Sequence, residues 1–151
     1  DCAKQLNPQK LDEYSISKQK SKYKLYEQYP LIWHAHIGPV IIKKILGFTD
    51  SKINAAIRDH TTGNENMGLI SQLIFVADFC EPKRQHGFSR IVLSVAERSL
   101  EEAIVLISYL TIEWLNKKNI KIHKNTLKCN AYYKARISTE VNNALLKLLK
   151  K

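Results

Sequence analysis

Apolar residues recur at intervals of three and four along most of this 151-residue chain, and this helical period limits its fold more than any other feature. The chain has only five glycines and four prolines, and strand-like alternation is weak. Ser99, with Glu102 three residues later, forms a capping box that opens a long helix to about Asn116. The sequence therefore predicts an all-α fold.

The same reasoning predicts seven further helices, placed by their apolar spacing and by Gly, Pro and capping residues. They cover residues 8–14, 39–46, 50–60, 67–79, 87–98, 126–133 and a last amphipathic segment from 138 or 139. Residues 15–29 are expected to form a polar connector with one further helical turn. In the helix over 67–79, the apolar stripe is expected to consist of Met67, Ile70, Leu73, Ile74 and Ala77.

Charge and cysteine content restrict the function classes. The net charge is +10, but Lys outnumbers Arg by 19 to 5, and Arg is the preferred reader of base edges. A Lys-rich surface that attracts small anionic substrates is therefore favoured over specific nucleic-acid binding. No apolar run is long enough to span a membrane. Three widely spaced cysteines without a signal peptide favour a reducing, cytoplasmic location with the thiols as apolar fillers.

Three polar residues fall on the expected inward faces of successive helices. His60 follows Ile53, Ala56 and Ile57 at helical spacing, and Asp78 follows Ile74 by four residues. His34 shares a face with Gly38 if one helix runs through this region. Imidazole and carboxylate together suit a divalent metal ion. Hydrogen-bonded core histidines and a capping aspartate remain the alternative interpretation.

Two blocks make the interpretation more specific. Residues 56–63, AIRDHTTG, followed by residues 77–84, ADFCEPKR, resemble the AIxxHTTG and ADYxEPxR blocks of the YqeK family of HD-domain phosphohydrolases. Met67 falls where the family has its Met, and residues 34–38, HAHIG, resemble its HGxxGA block with departures at Ala35 and Pro39. The segments 100–103 and 122–130 resemble its C-terminal helices.

The resemblance implies an HD-domain helical bundle over residues 1–133 that lacks its first helices, followed by a helical tail over 134–151. It also implies hydrolysis of diadenosine tetraphosphate into two ADP, the reaction of symmetrical bis(5'-nucleosyl)-tetraphosphatases. The opening residues DCAK resemble the family's HDxAK segment without its His. Because that His and one further upstream are absent, weak or no metal-dependent activity is expected from this chain alone.

The ligand set implied by the resemblance is a site with two divalent ions, for which iron is favoured over Mn, Co and Zn. Asp1 would bridge the ions, His34 and His60 would hold one of them, and Asp78 would hold the other. Lys4 and Arg84 would contact phosphate, with Arg58 a weaker candidate that has an ion pair with Asp59 as its alternative. His36, His86 and His123 are expected not to be ligands.

The residues Thr61, Thr62 and Gly63 form a predicted turn whose N–H and hydroxyl groups would meet phosphate or shape the pocket, with a plain helix stop as the alternative. Glu81 would orient Arg84 or support the metal ligands. The expected partner is a dinucleoside polyphosphate or another nucleotide, and a homodimer is compatible with the sequence. Three alternatives stay open: another HD-type nucleotide phosphohydrolase, the C-terminal domain of a nicotinate-nucleotide adenylyltransferase fusion, and a non-catalytic binding module with a degenerate metal site.

Overall fold

The computed structural model describes Ala3, residues 20–84 and residues 87–149, with the backbone alone for residues 20–23. These residues form helices and connecting turns, with no strand among them. The elements are α1 (Lys20–Gln28), a 3-10 helix (Pro30–Ile32), α2 (Trp33–Leu46), α3 (Ser51–Asp59), α4 (Leu69–Phe79), α5 (Ser89–Ala96), α6 (Leu100–Lys117), α7 (Lys124–Lys134) and α8 (Thr139–Leu148). The predicted all-α class is confirmed. None of the described helices has the length and apolarity needed to cross a membrane.

The helix starts follow the capping residues read from the sequence. Asp50 accepts a hydrogen bond from the backbone N–H of Ile53 through its side chain, and Ser99 accepts one from the N–H of Glu102. Ser138 caps α8 in the same way. At the other end of α2, Gly47 adopts a left-handed conformation with φ +63°, as a helix-ending glycine does. The predicted capping box at Ser99 is confirmed, and the helices predicted from residue 50 and from 138 or 139 begin directly after these caps.

The main core is built around α6. Six consecutive residues of this helix, from Ala103 to Ser108, are buried, so α6 is covered on all sides. Buried side chains of α4, α5, α7 and α8 pack in the same cluster. The Ser108 hydroxyl receives a hydrogen bond from Asn130 Nδ2 at 3.0 Å, which ties α6 to α7. Leu145 of α8 is buried in this cluster, so the helix of the 134–151 tail packs on the same core as α4–α7.

A second, smaller cluster holds α2 in place. It consists of the buried side chains of Ala3, Trp33, Ile37 and Ile41. On the opposite side, α2 approaches α3 closely at Gly38, where an added Cβ would lie 2.9 Å from the Ile57 side chain. The absence of a side chain at Gly38 therefore sets the close packing of α2 against α3, and this brings the residue one turn earlier, His34, towards the end of α3.

Two predicted boundaries and one predicted face were wrong. The helix expected at 39–46 begins at Trp33, so Pro39 lies inside α2, and part of the expected connector at 15–29 is α1. The helix expected over 67–79 is α4, which covers Leu69–Phe79. The apolar stripe of Ile70, Leu73, Ile74 and Ala77 is exposed, because α4 turns Ser71, Phe75 and Val76 to the core instead. The helix predicted at 8–14 lies outside the described residues.

The same correction applies to Ile53, predicted on the buried face of α3 and 39% exposed in the structure. Ile53 faces the exposed stripe of α4 across a shallow groove, which also contains Ile70 and Ile74. Apolar residues occupy most of the surface of α4, and such a helix carries little information about which side packs inward. The orientation of α4 is decided by Phe75, which reaches the main core.

Candidate active site

Two histidines from different helices meet at the centre of the candidate site. His34 lies on the first turn of α2, and His60 directly follows the last residue of α3. Their Nε2 atoms lie 3.1 Å apart, and both side chains are largely withdrawn from solvent. The sequence predicted that these two side chains would point inward from successive helices, and the structure brings them together.

The hydrogen bonds of His60 define its tautomer. Its Nδ1 lies 2.7 Å from the backbone carbonyl of Ile57, which can only accept, so Nδ1 carries the proton and donates it. Its Nε2 faces the Nε2 of His34 at hydrogen-bond distance. A metal-ligating histidine usually has its other ring nitrogen held by a backbone carbonyl or a carboxylate in this way.

The spacing of the two rings fits a shared ion. Bonds of about 2.0–2.1 Å from a metal to imidazole nitrogen place two such ligands about 3.0–3.4 Å apart, depending on the coordination geometry. The observed Nε2–Nε2 separation of 3.1 Å falls in this range. Among the described residues, no group of three or more His, Cys, Asp and Glu side chains is placed around one point. The described part of the chain thus supplies a histidine pair that fits one ion, and Asp1 lies outside it.

Asp78 reaches the same region from the last turn of α4. Its carboxylate Oδ2 forms an ion pair with the guanidinium Nη2 of Arg84. Both side chains are partly exposed, with 23% of Asp78 and 39% of Arg84 accessible. The pairing satisfies a carboxylate that the sequence placed in an apolar stretch, and it holds a positive charge beside the histidine pair.

The turn after α3 forms the floor of the site. Gly63 has φ +62°, and its N–H donates to the carbonyl of Asp59 at 2.7 Å. A Cβ at Gly63 would lie 2.5 Å from Cys129 Sγ, so the turn is pressed against α7. Thr62 is fully buried and donates its hydroxyl to the Gly63 carbonyl. The Thr61 Oγ1 is buried and has no hydrogen-bond partner in the structure, so it is left to meet a ligand or a water.

Two cavities adjoin this floor. The first, which we call the α5 cavity, has a volume of about 500 Å³ and is walled by Phe75, Phe79, Phe88, Ile107 and Leu110. The second, the α7 cavity, has a volume of about 470 Å³ and is walled by Tyr29, Leu31, Leu115, Ile120, Lys121 and His123. Both are also lined by Thr61, Asp78, Arg84, Thr111 and Trp114. His60 lines the α5 cavity and His34 lines the α7 cavity.

Other predicted site residues lie elsewhere. Arg58 is exposed on α3 and lines neither cavity; its charge opposes the rise that burial causes in the pKa of the Asp59 carboxyl. Glu81 is exposed, and its carboxylate accepts a hydrogen bond from the Lys83 backbone N–H at 3.4 Å, whereas the guanidinium of Arg84 contacts Asp78. Lys4 and His86 lie outside the described residues, as does Asp1.

A second pair of histidines, His36 and His123, lies beside the α7 cavity, which only His123 of the pair lines. The rings of His36 and His123 have centroids 5.6 Å apart. Burial, helped by the positive charges of His123 and Arg58, lowers the pKa of His36 to about 4, and burial also lowers that of His123. His123 Nδ1 accepts the N–H of Asn125 and so caps α7. Both rings are therefore neutral near pH 7.

The sequence missed Trp114, Lys121 and Thr111 as lining residues. Trp114 is half exposed near the end of α6, and a single exposed apolar residue is common on protein surfaces, so it gave no signal of its own. Lys121 is one of nineteen lysines, and only the fold shows that its Nζ lies 5.0 Å from the centre of the Tyr29 ring. Neither position belongs to a motif, so only the fold could reveal them.

Comparison with known proteins identifies the relatives of this chain. It is 33% identical over 111 residues to the symmetrical bis(5'-nucleosyl)-tetraphosphatase of Bacillus subtilis, and 39% identical over 94 residues to the enzyme of the same name from Halalkalibacterium halodurans. These alignments cover 74% and 62% of this chain, and 60% and 50% of the relatives. The chain thus spans between half and three fifths of the length of these curated relatives. No protein-family model matches it.

The fold comparison agrees with these relatives. A crystal structure of a predicted HD superfamily hydrolase involved in NAD metabolism, from Clostridium acetobutylicum, superposes with a TM-score of 0.77 at 28% identity. The match covers 91% of this chain and 72% of that protein. The predicted resemblance to YqeK-type HD-domain hydrolases is confirmed, and so is the HD-type helical bundle.

Proposed function

We propose that this chain carries the active site of a metal-dependent phosphohydrolase that splits diadenosine tetraphosphate symmetrically into two ADP. The observation that carries the proposal is the convergence of His34 and His60, with Nε2 atoms 3.1 Å apart, beside the Asp78–Arg84 ion pair. The curated relatives are named for this reaction, which supports the choice of substrate.

His34 and His60 would hold one divalent ion through their Nε2 atoms and Asp78 would hold a second, with Asp1 as the further carboxylate ligand that the resemblance implies. When bound, such ions lower the pKa of a coordinated water and polarise a phosphoryl oxygen. His60 is already prepared for this role, because the Ile57 carbonyl holds its proton at Nδ1. Asp78 has two carboxylate oxygens, so one can bind an ion while the other keeps Arg84 in place.

The remaining groups of the site act on the phosphate chain. Water attacks one of the two central phosphorus atoms, the bond from that phosphorus to the bridging oxygen breaks, and the leaving ADP keeps that oxygen. Arg84 would stabilise the negative charge on the phosphoryl oxygens as it redistributes. The unpartnered hydroxyl of Thr61 lies at the same floor and would donate to a phosphate oxygen. Lys4, which lies outside the described residues, would contact phosphate together with Arg84, and Arg58, which lines neither cavity, is the weaker candidate.

The exchange of Arg84 for Ala tests the phosphate contact. We expect kcat/KM for diadenosine tetraphosphate to fall about 10–100-fold, because a hydrogen bond to a charged group is worth about 1.5–3 kcal/mol. Arg84→Lys should recover only part of the loss, since Lys offers a point charge instead of a planar fork. The matched control is Arg90→Ala, because Arg90 is an exposed arginine of α5 that lines neither cavity. Equal kinetics for Arg84→Ala and Arg90→Ala would remove Arg84 from the site.

Metal dependence is tested on the protein in its full natural length, with the 151-residue chain assayed beside it. The protein is stripped with a chelator and then supplied with Fe²⁺, Mn²⁺ or Co²⁺ in separate assays of diadenosine tetraphosphate hydrolysis. We expect no turnover without metal and recovery with at least one ion, most strongly with iron. Full turnover in the chelated protein, or none with any ion, would contradict the proposal; the latter result would favour a non-catalytic binding module.

A further inference from the structure

The two cavities are separate in their walls but share the floor of the candidate active site. The α5 cavity is bounded by residues of α4 and α6 and by Phe88, which directly precedes α5. The α7 cavity is bounded by the 3-10 helix and the ends of α6 and α7. Their common residues are Thr61, Asp78, Arg84, Thr111 and Trp114. A ligand that occupies both cavities must therefore pass over the Asp78–Arg84 pair, where the phosphate chemistry is placed.

We infer that the two cavities are separate nucleoside sites, one for each end of a dinucleoside polyphosphate, and that Trp114 borders both bases. The inference rests on the proposed function, and it adds where each half of the substrate binds. Each cavity, at about 500 and 470 Å³, lies within the usual range of 300–1,000 Å³ for small-molecule sites. A symmetrical substrate has two identical ends, so two sites of similar size on either side of the cleavage point suit it.

The α5 cavity has the composition of a base-stacking site. Three phenylalanines and Trp114 line it, and its polar lining comes from the shared floor and His60. Phe88 is only partly buried at the start of α5, so its ring is accessible from the cavity. A purine offers a π face to such rings, and stacking of one base is worth enough to strengthen binding about 5–150-fold.

The α7 cavity combines an aromatic ring with a positive charge. Lys121 Nζ lies 5.0 Å from the centre of the Tyr29 ring and 3.5 Å from the Gln28 side-chain oxygen, so it is held at the rim. The His123 ring packs edge-on against Tyr29, at 4.9 Å between centroids. Tyr29 is placed to contact the second base, while Lys121 attracts the phosphates of the same nucleotide.

The number of ADP molecules bound per chain tests the two-site inference. ADP is the probe because it is one half of the substrate and contains no central anhydride to cleave. Isothermal titration of the full-length, metal-supplied protein should give two ADP per chain. Phe88→Ala should weaken one of the two sites at least about 5-fold and leave the other unchanged, while Phe88→Tyr should keep both. Tyr29→Ala should weaken the second site, which is the one in the α7 cavity. Lys121→Ala, which changes an exposed side chain, should weaken that same site.

The control is Phe48→Ala, which removes an exposed phenylalanine that lines neither cavity and should leave both sites unchanged. One ADP per chain in the unaltered protein, or Phe88→Ala and Lys121→Ala weakening the same site, would overturn the inference. Two ADP sites in a protein that never cleaves diadenosine tetraphosphate would uphold the two cavities and reject the proposed function. Cleavage of diadenosine tetraphosphate by a protein with one ADP site would uphold the proposed function and reject the two nucleoside sites.

Discussion

Replacing His60 by Ala is expected to abolish diadenosine tetraphosphate hydrolysis, with a loss of at least about 10³-fold in kcat. A metal ion at a phosphoryl centre contributes several kcal/mol to transition-state stabilisation, and each 1.36 kcal/mol is tenfold in rate. His60 supplies one of the two Nε2 atoms that fit an ion, and its tautomer is fixed by the Ile57 carbonyl. Ala removes that ligand and leaves His34 alone.

Two controls separate this effect from damage to the fold. Lys52→Ala changes an exposed residue of the same helix, α3, and should leave turnover unchanged. The melting temperature of His60→Ala should stay close to that of the unaltered protein, while its bound-metal content falls. Full turnover in His60→Ala would mean that the site lies elsewhere. A loss of turnover with unchanged metal content would remove His60 from the ligand set.

Replacing Gly63 by Ala is expected to lower the free energy of unfolding by about 2–5 kcal/mol. One part is conformational, because a side chain at φ +62° costs about 1–2 kcal/mol. The other part is steric, because the new Cβ would lie 2.5 Å from Cys129 Sγ, and overpacking of this kind costs about 1–3 kcal/mol. Urea unfolding measures the sum.

Gly47→Ala separates the two parts. Gly47 has nearly the same φ, +63°, but a Cβ there meets nothing within 4 Å. Its substitution should therefore cost only the conformational part, about 1–2 kcal/mol. In a Cys129→Ala background, which removes the sulfur, Gly63→Ala should cost less than in the unaltered chain. Equal losses for Gly47→Ala and Gly63→Ala would show that α7 does not press on this turn.

The elements that could be predicted are those with strong local signals. Ser99 with Glu102 predicted the start of α6, and capping residues near 50 and 138 indicated the starts of α3 and α8, because a capping side chain satisfies a backbone N–H that no tertiary contact needs to supply. The long helix predicted to about Asn116 is α6, which ends at Lys117.

Predictions failed where tertiary packing decides the outcome. Pro39 was interpreted as a helix start, although α2 begins six residues earlier. A proline removes one intrahelical hydrogen bond, and burial of Trp33, Ile37 and Ile41 in one cluster offsets that loss. The prediction of which side of α4 faces the core failed for a different reason. Both sides of α4 are apolar, and only its contact with α6 determines which side is buried.

The sequence predicted those residues of the candidate site that belong to recognisable motifs. His34, His60 and Asp78 were located by spacing and by the resemblance, and the structure brings the two histidines within 3.1 Å. The pairing of Asp78 with Arg84 joins residues only six apart, but it depends on the turn after α4. Trp114 and Lys121 lie outside every motif, and they join the site only because the ends of α6 and α7 meet the 3-10 helix.

The identity of the hydrolysis products tests the central claim most directly. The full-length, metal-supplied protein is incubated with diadenosine tetraphosphate in ¹⁸O-labelled water. The nucleotide products are then separated, and their masses are measured by mass spectrometry. Attack of water on a central phosphorus predicts ADP as the sole nucleotide product, with one ¹⁸O in half of the ADP molecules. Formation of AMP and ATP, or no turnover with any of the three metals, would contradict the assignment of this site to symmetrical hydrolysis.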